Sequence, residues 1–81
     1  MPYTIKEIEL ASNETTIGEI SQNNVHYFVL NGNCNIVTTY NNDQMNVPLS
    51  AHRSYDISKN VYVQLANKSE TNCTILEVKF D

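Results

Sequence analysis

Apolar side chains recur with a two-residue period in several short runs of this chain. The clearest run is residues 25–30, with the sequence Val-His-Tyr-Phe-Val-Leu, and segments rich in Asn, Ser and Asp separate it from the others. A period of two is typical of β-strands, and no window of a dozen residues carries apolar side chains at helical spacing. The sequence therefore predicts an all-β chain without a helical layer.

The runs and the segments between them predict eight short strands. They cover residues 3–10, 15–20, 25–30, 33–40, 45–49, 54–57, 61–66 and 73–80. The pair Asn31-Gly32 favours a tight type I′ hairpin between the third and fourth strands. The chain has 12 Asn but only two Gly, and Asn tolerates the left-handed backbone region that many turns require. We therefore expect Asn to supply many of the turns.

The length of 81 residues limits the size of the core. It is enough for one domain, residues 1–81, and too short for a second core. Eight antiparallel strands in such a chain fit a compact barrel or a double-sheet roll, because closure protects strand edges. A core this small stabilises a domain by only about 3 to 5 kcal/mol. We therefore expect self-association into a homodimer or a higher homo-oligomer.

Charge and cysteine content argue against several classes of function. The formal net charge is −4, and the five Lys and Arg residues are scattered singly, so no basic stripe is available for nucleic acid. Cys34 and Cys73 have no metal-binding spacing and are expected to be buried free thiols. The sequence has no signal-peptide pattern and no apolar run of membrane-spanning length. We expect a cytoplasmic protein that is not secreted and binds neither nucleic acid nor membrane.

Two stretches of the sequence resemble the cupin family of small β-barrels. Residues 26–32, His-Tyr-Phe-Val-Leu-Asn-Gly, are similar to the family's aromatic-rich strand that ends in a hairpin glycine. Residues 48–53 and 61–67, which close on Asn67, resemble the second cupin motif. The resemblance covers residues 25–79 and implies a small cupin-like jelly-roll barrel of about eight short antiparallel strands.

Many cupins hold a metal ion through His and Glu side chains, and the resemblance implies where these would fall. Counted back from Gly32, the Glu position falls at Val25. The two His positions of the first motif fall near Glu19 and Ser21, and the His of the second motif is replaced by Val63. A Val side chain offers no coordinating atom. We therefore expect no metal ion and no other cofactor.

The third predicted strand has two largely apolar faces. Alternation places residues 25, 27 and 29 in the barrel interior and the side chains between them on the opposite face. The opposite face, with His26, Phe28 and Leu30, is a candidate interface with a second copy of the chain. The alternative is that the N-terminal strand covers this face within one chain, through Tyr3, Ile5 and Ile8.

Three inward positions are candidates for a ligand pocket: Tyr27, Tyr55 and Val63. A Tyr ring with its hydroxyl suits both pocket lining and core filling, so a packing role is the alternative for both tyrosines. His26 and His52 lie on different segments, and neither falls at a cupin ligand position. They are interpreted as ordinary surface or hydrogen-bonded side chains.

These observations favour a non-catalytic cupin-like module that binds or assembles as a small homo-oligomer, with a further protein partner open. The Asn-rich composition is typical of AT-rich genomes and fits a phage accessory structural or host-directed protein, in the virion or the infected host cytoplasm. The alternative is a domain that binds a small molecule, a sugar or a nucleotide, in the barrel mouth. An enzyme of the sugar-nucleotide isomerase type is the least supported class, because no His falls in the barrel and no nucleophile-base motif is present.

Overall fold

The structure, a computed structural model that describes residues 3–80, is built from β-strands. Within those residues it contains no helix, so none is long and apolar enough to cross a membrane. The eight strands are β1 Tyr3–Leu10, β2 Glu19–Ile20, β3 Asn24–Asn31, β4 Asn33–Tyr40, β5 Asp43–Ser50, β6 Ser54–Ile57, β7 Tyr62–Ala66 and β8 Cys73–Phe80. The expectation of an all-β chain with eight strands is confirmed.

The strands form two four-stranded antiparallel sheets. The first sheet has the order β1-β8-β3-β6 and the second has the order β2-β7-β4-β5. Along the chain, every connection except the one between β4 and β5 crosses from one sheet to the other. This repeated crossing is the connectivity of a double-sheet jelly roll, and the core lies between the two sheets.

The prediction of a hairpin at Asn31-Gly32 is wrong. β3 pairs with β6 and β8, whereas β4 pairs with β5 and β7, so the two strands joined by Gly32 lie in different sheets. Gly32 does adopt a left-handed backbone, with φ of 79°. A Cβ atom there would lie 2.6 Å from the carbonyl oxygen of Asn72. Glycine is therefore required because the crossing chain passes against the start of β8.

Asparagine supplies the turns, as its abundance predicts. Asn41 and Asn42 both have positive φ, of 51° and 67°, and they join β4 to β5 across the pair Tyr40 and Asp43. Two successive residues with positive φ form the type I′ turn that suits the twist of a hairpin. Of the five non-glycine residues with positive φ in the described chain, four are Asn and the fifth is His52.

The second strand is shorter than the alternation predicts. It covers only Glu19–Ile20, and Thr15 contributes a single isolated bridge to Ala66. The physical reason lies at Thr16, whose side-chain Oγ1 accepts the hydrogen bond from the backbone N–H of Leu65 at 3.0 Å. A side-chain hydroxyl therefore replaces a backbone carbonyl in the ladder, and regular strand pairing stops there.

Alternation correctly predicts which side chains enter the core. Along β3, Val25, Tyr27 and Val29 are 3%, 2% and 0% exposed, while the residues between them are half-buried. The buried apolar cluster draws on both sheets and comprises Leu10, Val25, Tyr27, Val29, Cys34, Ile36, Leu49, Ile57, Val63, Leu65, Cys73 and Ile75. Both cysteines are free and buried, as expected.

Candidate functional site

The inward positions of β8 change character along the strand. Cys73 and Ile75 are fully buried and apolar, whereas Glu77 and Lys79 on the same face carry charges. β1, which pairs with β8, changes in the same direction, from Leu10 at the buried end to Lys6 at the exposed end. The barrel therefore has a sealed end and an open end, and the charged groups gather at the open end.

Glu77 is the centre of the open end. It is only 7% exposed, and its Oε2 accepts a hydrogen bond from the Tyr27 hydroxyl at 2.8 Å. Its Oε1 lies 3.8 Å from the Nζ of Lys79, which in turn lies 3.6 Å from Oε1 of Glu19. Since Glu19 belongs to the second sheet and Lys79 to the first, this ion pair spans the mouth between the two sheets.

The hydrogen bond from Tyr27 to Glu77 is maintained by the electrostatics of the site. Burial raises the pKa of the Tyr27 phenol, and both the hydrogen bond to Glu77 and the negative charge of Glu77 raise it further. A phenol with a raised pKa stays protonated at neutral pH, so it acts as a hydrogen-bond donor. Tyr27 thereby stabilises a carboxylate that would otherwise be costly to bury.

Two adjoining cavities open around this cluster. The larger has a volume of about 400 Å³ and the smaller about 210 Å³. Glu19, Tyr27, Val63 and Lys79 line both of them. The larger cavity also has apolar walls from Ile8, Leu65 and Ile17 and further inward-facing charged groups from Lys6 and Glu77.

The structure brings two of the three predicted pocket residues together. Tyr27 and Val63 line both cavities, but Tyr55 lines neither. The hydroxyl of Tyr55 points instead to the sulfur of Met45 on the facing sheet, at 3.8 Å. A ligand-binding role for these residues stays a prediction.

Sequence reasoning missed Glu77, Lys79 and Glu19. A signal for two of them was present, because alternation that places Cys73 and Ile75 inside the barrel must also place positions 77 and 79 inside. Alternation gave no such signal for Glu19, since its neighbours form a strand of only two residues, and the cupin resemblance placed it only near a metal-ligand position. Its role depends on the pairing of Glu19 with Val63 in β7, which turns its side chain to the same face as Val63.

The four positions at which the cupin resemblance implies metal ligands do lie together. Glu19, Ser21, Val25 and Val63 all line the smaller cavity. Their chemistry does not fit a transition-metal ion, because the two Val have no donor atom and Glu19 is paired with Lys79. The hydroxyl of Ser21 donates to the carbonyl oxygen of Asn23. Within residues 3–80, no three His, Cys, Asp or Glu side chains are grouped to hold a metal.

Comparison with known proteins identifies the architecture. No protein-family model and no curated protein matches this sequence. Among solved structures, a Cupin 2 conserved barrel domain protein from Salinispora arenicola superposes with a TM-score of 0.88 over 100% of this chain and 65% of its own, at 14% identity. The chain has the cupin fold. A cupin domain from Bordetella pertussis also matches, with a TM-score of 0.79, 13% identity, and coverage of 98% of this chain and 81% of that one.

The same cupin fold occurs in a structure of Drosophila melanogaster CENP-C bound to CAL1. That chain superposes with a TM-score of 0.84 over 90% of this chain, at 9% identity. This chain spans 58% of the CENP-C chain and 65% of the Salinispora chain. The cupin resemblance stated from the sequence is thus confirmed as a resemblance of fold.

The predicted interface residues of this cupin barrel lie on the outer face of the first sheet. We define that outer face by Ile5, His26, Phe28, Leu30, Leu76 and Val78, which come from three neighbouring strands. The Phe28 ring stacks on His52, with ring centroids 6.3 Å apart. Nδ1 of His26 lies 2.5 Å from Oδ1 of Asp56. An interface role for these side chains stays a prediction.

The N-terminal strand does not cover this outer face. β1 lies beside β8 in the same sheet, so Tyr3 and Ile5 extend the face laterally and are 38% and 56% exposed. Ile8 points the other way and packs against the core. The alternative in which these three residues bury Phe28 within one chain is therefore wrong.

Proposed function

We propose that this cupin barrel is a non-catalytic assembly module that forms a homodimer through the outer face of its first sheet. The observation that carries the proposal is the chemistry of that face. Ile5 and Val78 are cross-strand neighbours, as are Leu76 and Phe28. Together with Leu30 they form an apolar patch on which His52, from the turn between β5 and β6, stacks against Phe28, and which no second layer of the described residues covers.

The outer face of the second sheet supplies the contrast. It carries amide and hydroxyl side chains at most positions, with Ile20 and Tyr62 at one corner; its members include Asn35, Val37, Thr39, Gln44, Asn46 and Gln64. An antiparallel sheet that faces water normally alternates apolar inside with polar outside. The second sheet follows this rule at most positions, whereas the first sheet departs from it at Phe28, Leu76 and Val78, with Glu7 and Asp56 at the edges of the apolar patch. A contiguous exposed apolar face marks an interaction surface.

A second copy of the chain is the occupant we favour. A core of this size supports only a marginally stable monomer, and an interface between identical faces adds burial to both copies at once. Twofold interfaces of this kind are the commonest in homo-oligomers. Drosophila CENP-C bound to CAL1 is a cupin-fold chain in a protein complex, which supports an assembly role for the same fold here.

Sedimentation velocity at micromolar concentration tests the proposal. The expected species has twice the mass of one chain. Phe28→Asp should give a folded monomer, because a charge on an apolar interface is penalised only on association. Val37→Asp is the matched control, since Val37 is half-buried on the outer face of the second sheet, and it should remain a dimer.

Two results would contradict this assignment. A wild-type protein that sediments only as a monomer removes the interface altogether. A Phe28→Asp dimer alongside a Val37→Asp monomer would move the interface to the second sheet. A phage origin rests on composition alone, and virion genes beside the gene for this protein would support it.

A further inference from the structure

Two polar groups at the open end of the barrel keep hydrogen-bonding capacity that the protein does not use. Glu77 uses Oε2 to accept from Tyr27, but its Oε1 has only Lys79 nearby, with Nζ at 3.8 Å. The Lys79 ammonium lies 3.6 Å from Glu19. Both separations are too long for a hydrogen bond. Within residues 3–80, therefore, Oε1 of Glu77 and Nζ of Lys79 are available to a ligand.

The spacing of these groups selects a kind of ligand atom. An acceptor and a donor 3.8 Å apart can both reach one atom placed between them at ordinary hydrogen-bond distances. That atom must donate to the carboxylate of Glu77 and accept from the ammonium of Lys79. A hydroxyl group does both.

A second pair of a hydrogen-bond donor and an acceptor lies beside the first. Lys79 and Glu19 also offer a donor and an acceptor, 3.6 Å apart. One ammonium is thus flanked by two carboxylates, from β8 and from β2. Two hydroxyls on adjacent carbon atoms could share Lys79 as their common donor, with one donating to Glu77 and the other to Glu19.

Charge disfavours ionised ligands. The inward-facing charged side chains that line the larger cavity are two carboxylates, Glu19 and Glu77, and two ammonium groups, Lys6 and Lys79. Their formal charges cancel, so the cavity has no excess charge to attract an ion. A phosphate or carboxylate would meet the two acidic groups, and an amine would meet the two basic ones.

The walls and the volume of the cavity suit the carbon frame of a small ring. Ile8, Val63 and Leu65 form an apolar wall on which the C–H face of a saturated ring can pack. The volume of about 400 Å³ lies within the range of small-molecule pockets, about 300 to 1,000 Å³. Polar groups at one side of an apolar wall give both affinity and orientation.

From these observations we propose that the open end of the barrel binds an uncharged cyclic polyol through a vicinal diol, with Lys79 between the two hydroxyls and Glu77 and Glu19 as their acceptors. This site lies inside the barrel, whereas the proposed dimer interface lies outside it. Either proposal can therefore fail without the other, because one is measured by ligand binding and the other by mass.

The test is an amide-resolved NMR titration of the full chain with myo-inositol as the probe. We expect saturable shifts at residues around the cavity and a dissociation constant in the low millimolar range. Cyclohexanol, which has one hydroxyl on the same ring, and inositol monophosphate, which adds charge, should both bind at least about tenfold more weakly.

Variants assign the binding to the named groups. Lys79→Met retains the aliphatic stem and removes the shared donor, so it should weaken inositol binding about tenfold or more. Glu77→Gln keeps an acceptor for Tyr27 and removes the carboxylate, with a loss of similar size. Lys68→Met is the matched control, since Lys68 is exposed and lines none of the described cavities, and it should bind inositol as the wild type does.

Three results would overturn the proposal. The first is the absence of saturable shifts with myo-inositol at any soluble concentration. The second is tighter binding of inositol monophosphate than of inositol, which would contradict the charge argument. The third is unchanged affinity in both Lys79→Met and Glu77→Gln, which would place any binding elsewhere.

Discussion

The two ends of the barrel interior differ in polarity and in exposure to cavities, although the same strands build both. At the sealed end, Cys34 and Cys73 are 0% exposed, and Asn67 is 1% exposed. At the open end, Lys79 lines both cavities and Glu77 lines the larger one. β1 and β8 run from one end to the other, so the change takes place within about eight residues of each strand.

The buried polar side chains at the two ends differ in how many of their hydrogen-bond partners lie within the protein. Asn67 has its side-chain hydrogen bonds satisfied within the protein: its Nδ2 donates to the carbonyl oxygens of Leu10, Ala11 and Thr71, and its Oδ1 accepts from Ser69. Glu77 receives one hydrogen bond and keeps an oxygen for the cavity. The sealed end thus concentrates stability, because its polar groups are fully used, while the open end keeps groups free for a ligand.

The two glycines give the largest contrast between the ends. Gly32→Ala at the sealed end should cost about 3 to 5 kcal/mol in unfolding free energy, because the new Cβ meets backbone atoms and a residue with a side chain must hold a left-handed φ. Gly18→Ala at the open end should cost less than about 1 kcal/mol, since its Cβ meets only the exposed, rotatable ring of Tyr62.

Urea unfolding monitored by circular dichroism measures both glycine variants. Similar losses for Gly32→Ala and Gly18→Ala would show that the ends do not differ in packing. A larger loss for Gly18→Ala would reverse the comparison and indicate that Tyr62 is fixed in its position.

Asn67 tests whether satisfied polar groups carry the stability of the sealed end. Asn67→Ala leaves the buried backbone carbonyl of Leu10 without the amide donor of Asn67, and the part-buried carbonyl of Ala11 likewise, and should cost about 2 to 3 kcal/mol. The counterpart at the open end is Glu77→Gln, which keeps the acceptor for Tyr27 and should cost less than about 1 kcal/mol. Equal losses in urea unfolding would mean that the Glu77 charge is as important to folding as the Asn67 network.

A smaller effect is expected at alkaline pH, and it concerns the buried thiols of the sealed end. Burial raises the pKa of the Cys34 thiol from 9.0 to about 12, and the neighbouring Cys73 raises it as well. In the unfolded chain the thiol ionises near pH 9, whereas in the folded chain it stays neutral. Stability from this group is therefore present below pH 9 and is lost as the pH rises from 9 towards 12.

The measurement is the urea midpoint at pH 8 and at pH 10.5. We expect a lower midpoint at pH 10.5, and a smaller decrease in Cys34→Ala than in the wild type. Tyr27 contributes in the same direction above pH 10, since its pKa is also raised.

Ellman's reagent at pH 8 should leave both native thiols unlabelled and label an exposed Ser58→Cys control. Rapid labelling of Cys34 would show that the sealed end opens.

Much of the fold could be predicted from the sequence, because period-two alternation and turn chemistry are local. Four of the eight predicted strands have the observed bounds, including β1 and β8. The short β2 was mispredicted because a side chain, Thr16, replaces a backbone group in its ladder. The candidate site was only partly predictable: Tyr27 and Val63 face the cavities, but the charged residues beside them were missed.

Local patterns in the sequence are enough to predict most of the strands, which of their faces turn inward, and where Asn and Gly admit a left-handed backbone. These properties depend on neighbours two to four residues away. The choice of strand partners depends on the whole folded chain, and it makes Asn31-Gly32 cross between the sheets instead of closing a hairpin. The same long-range pairing brings Glu19, Glu77 and Lys79 together at one mouth. The reason is that strand pairing and barrel closure join residues far apart in the chain, and alternation fixes a side chain's face but not the residue opposite it.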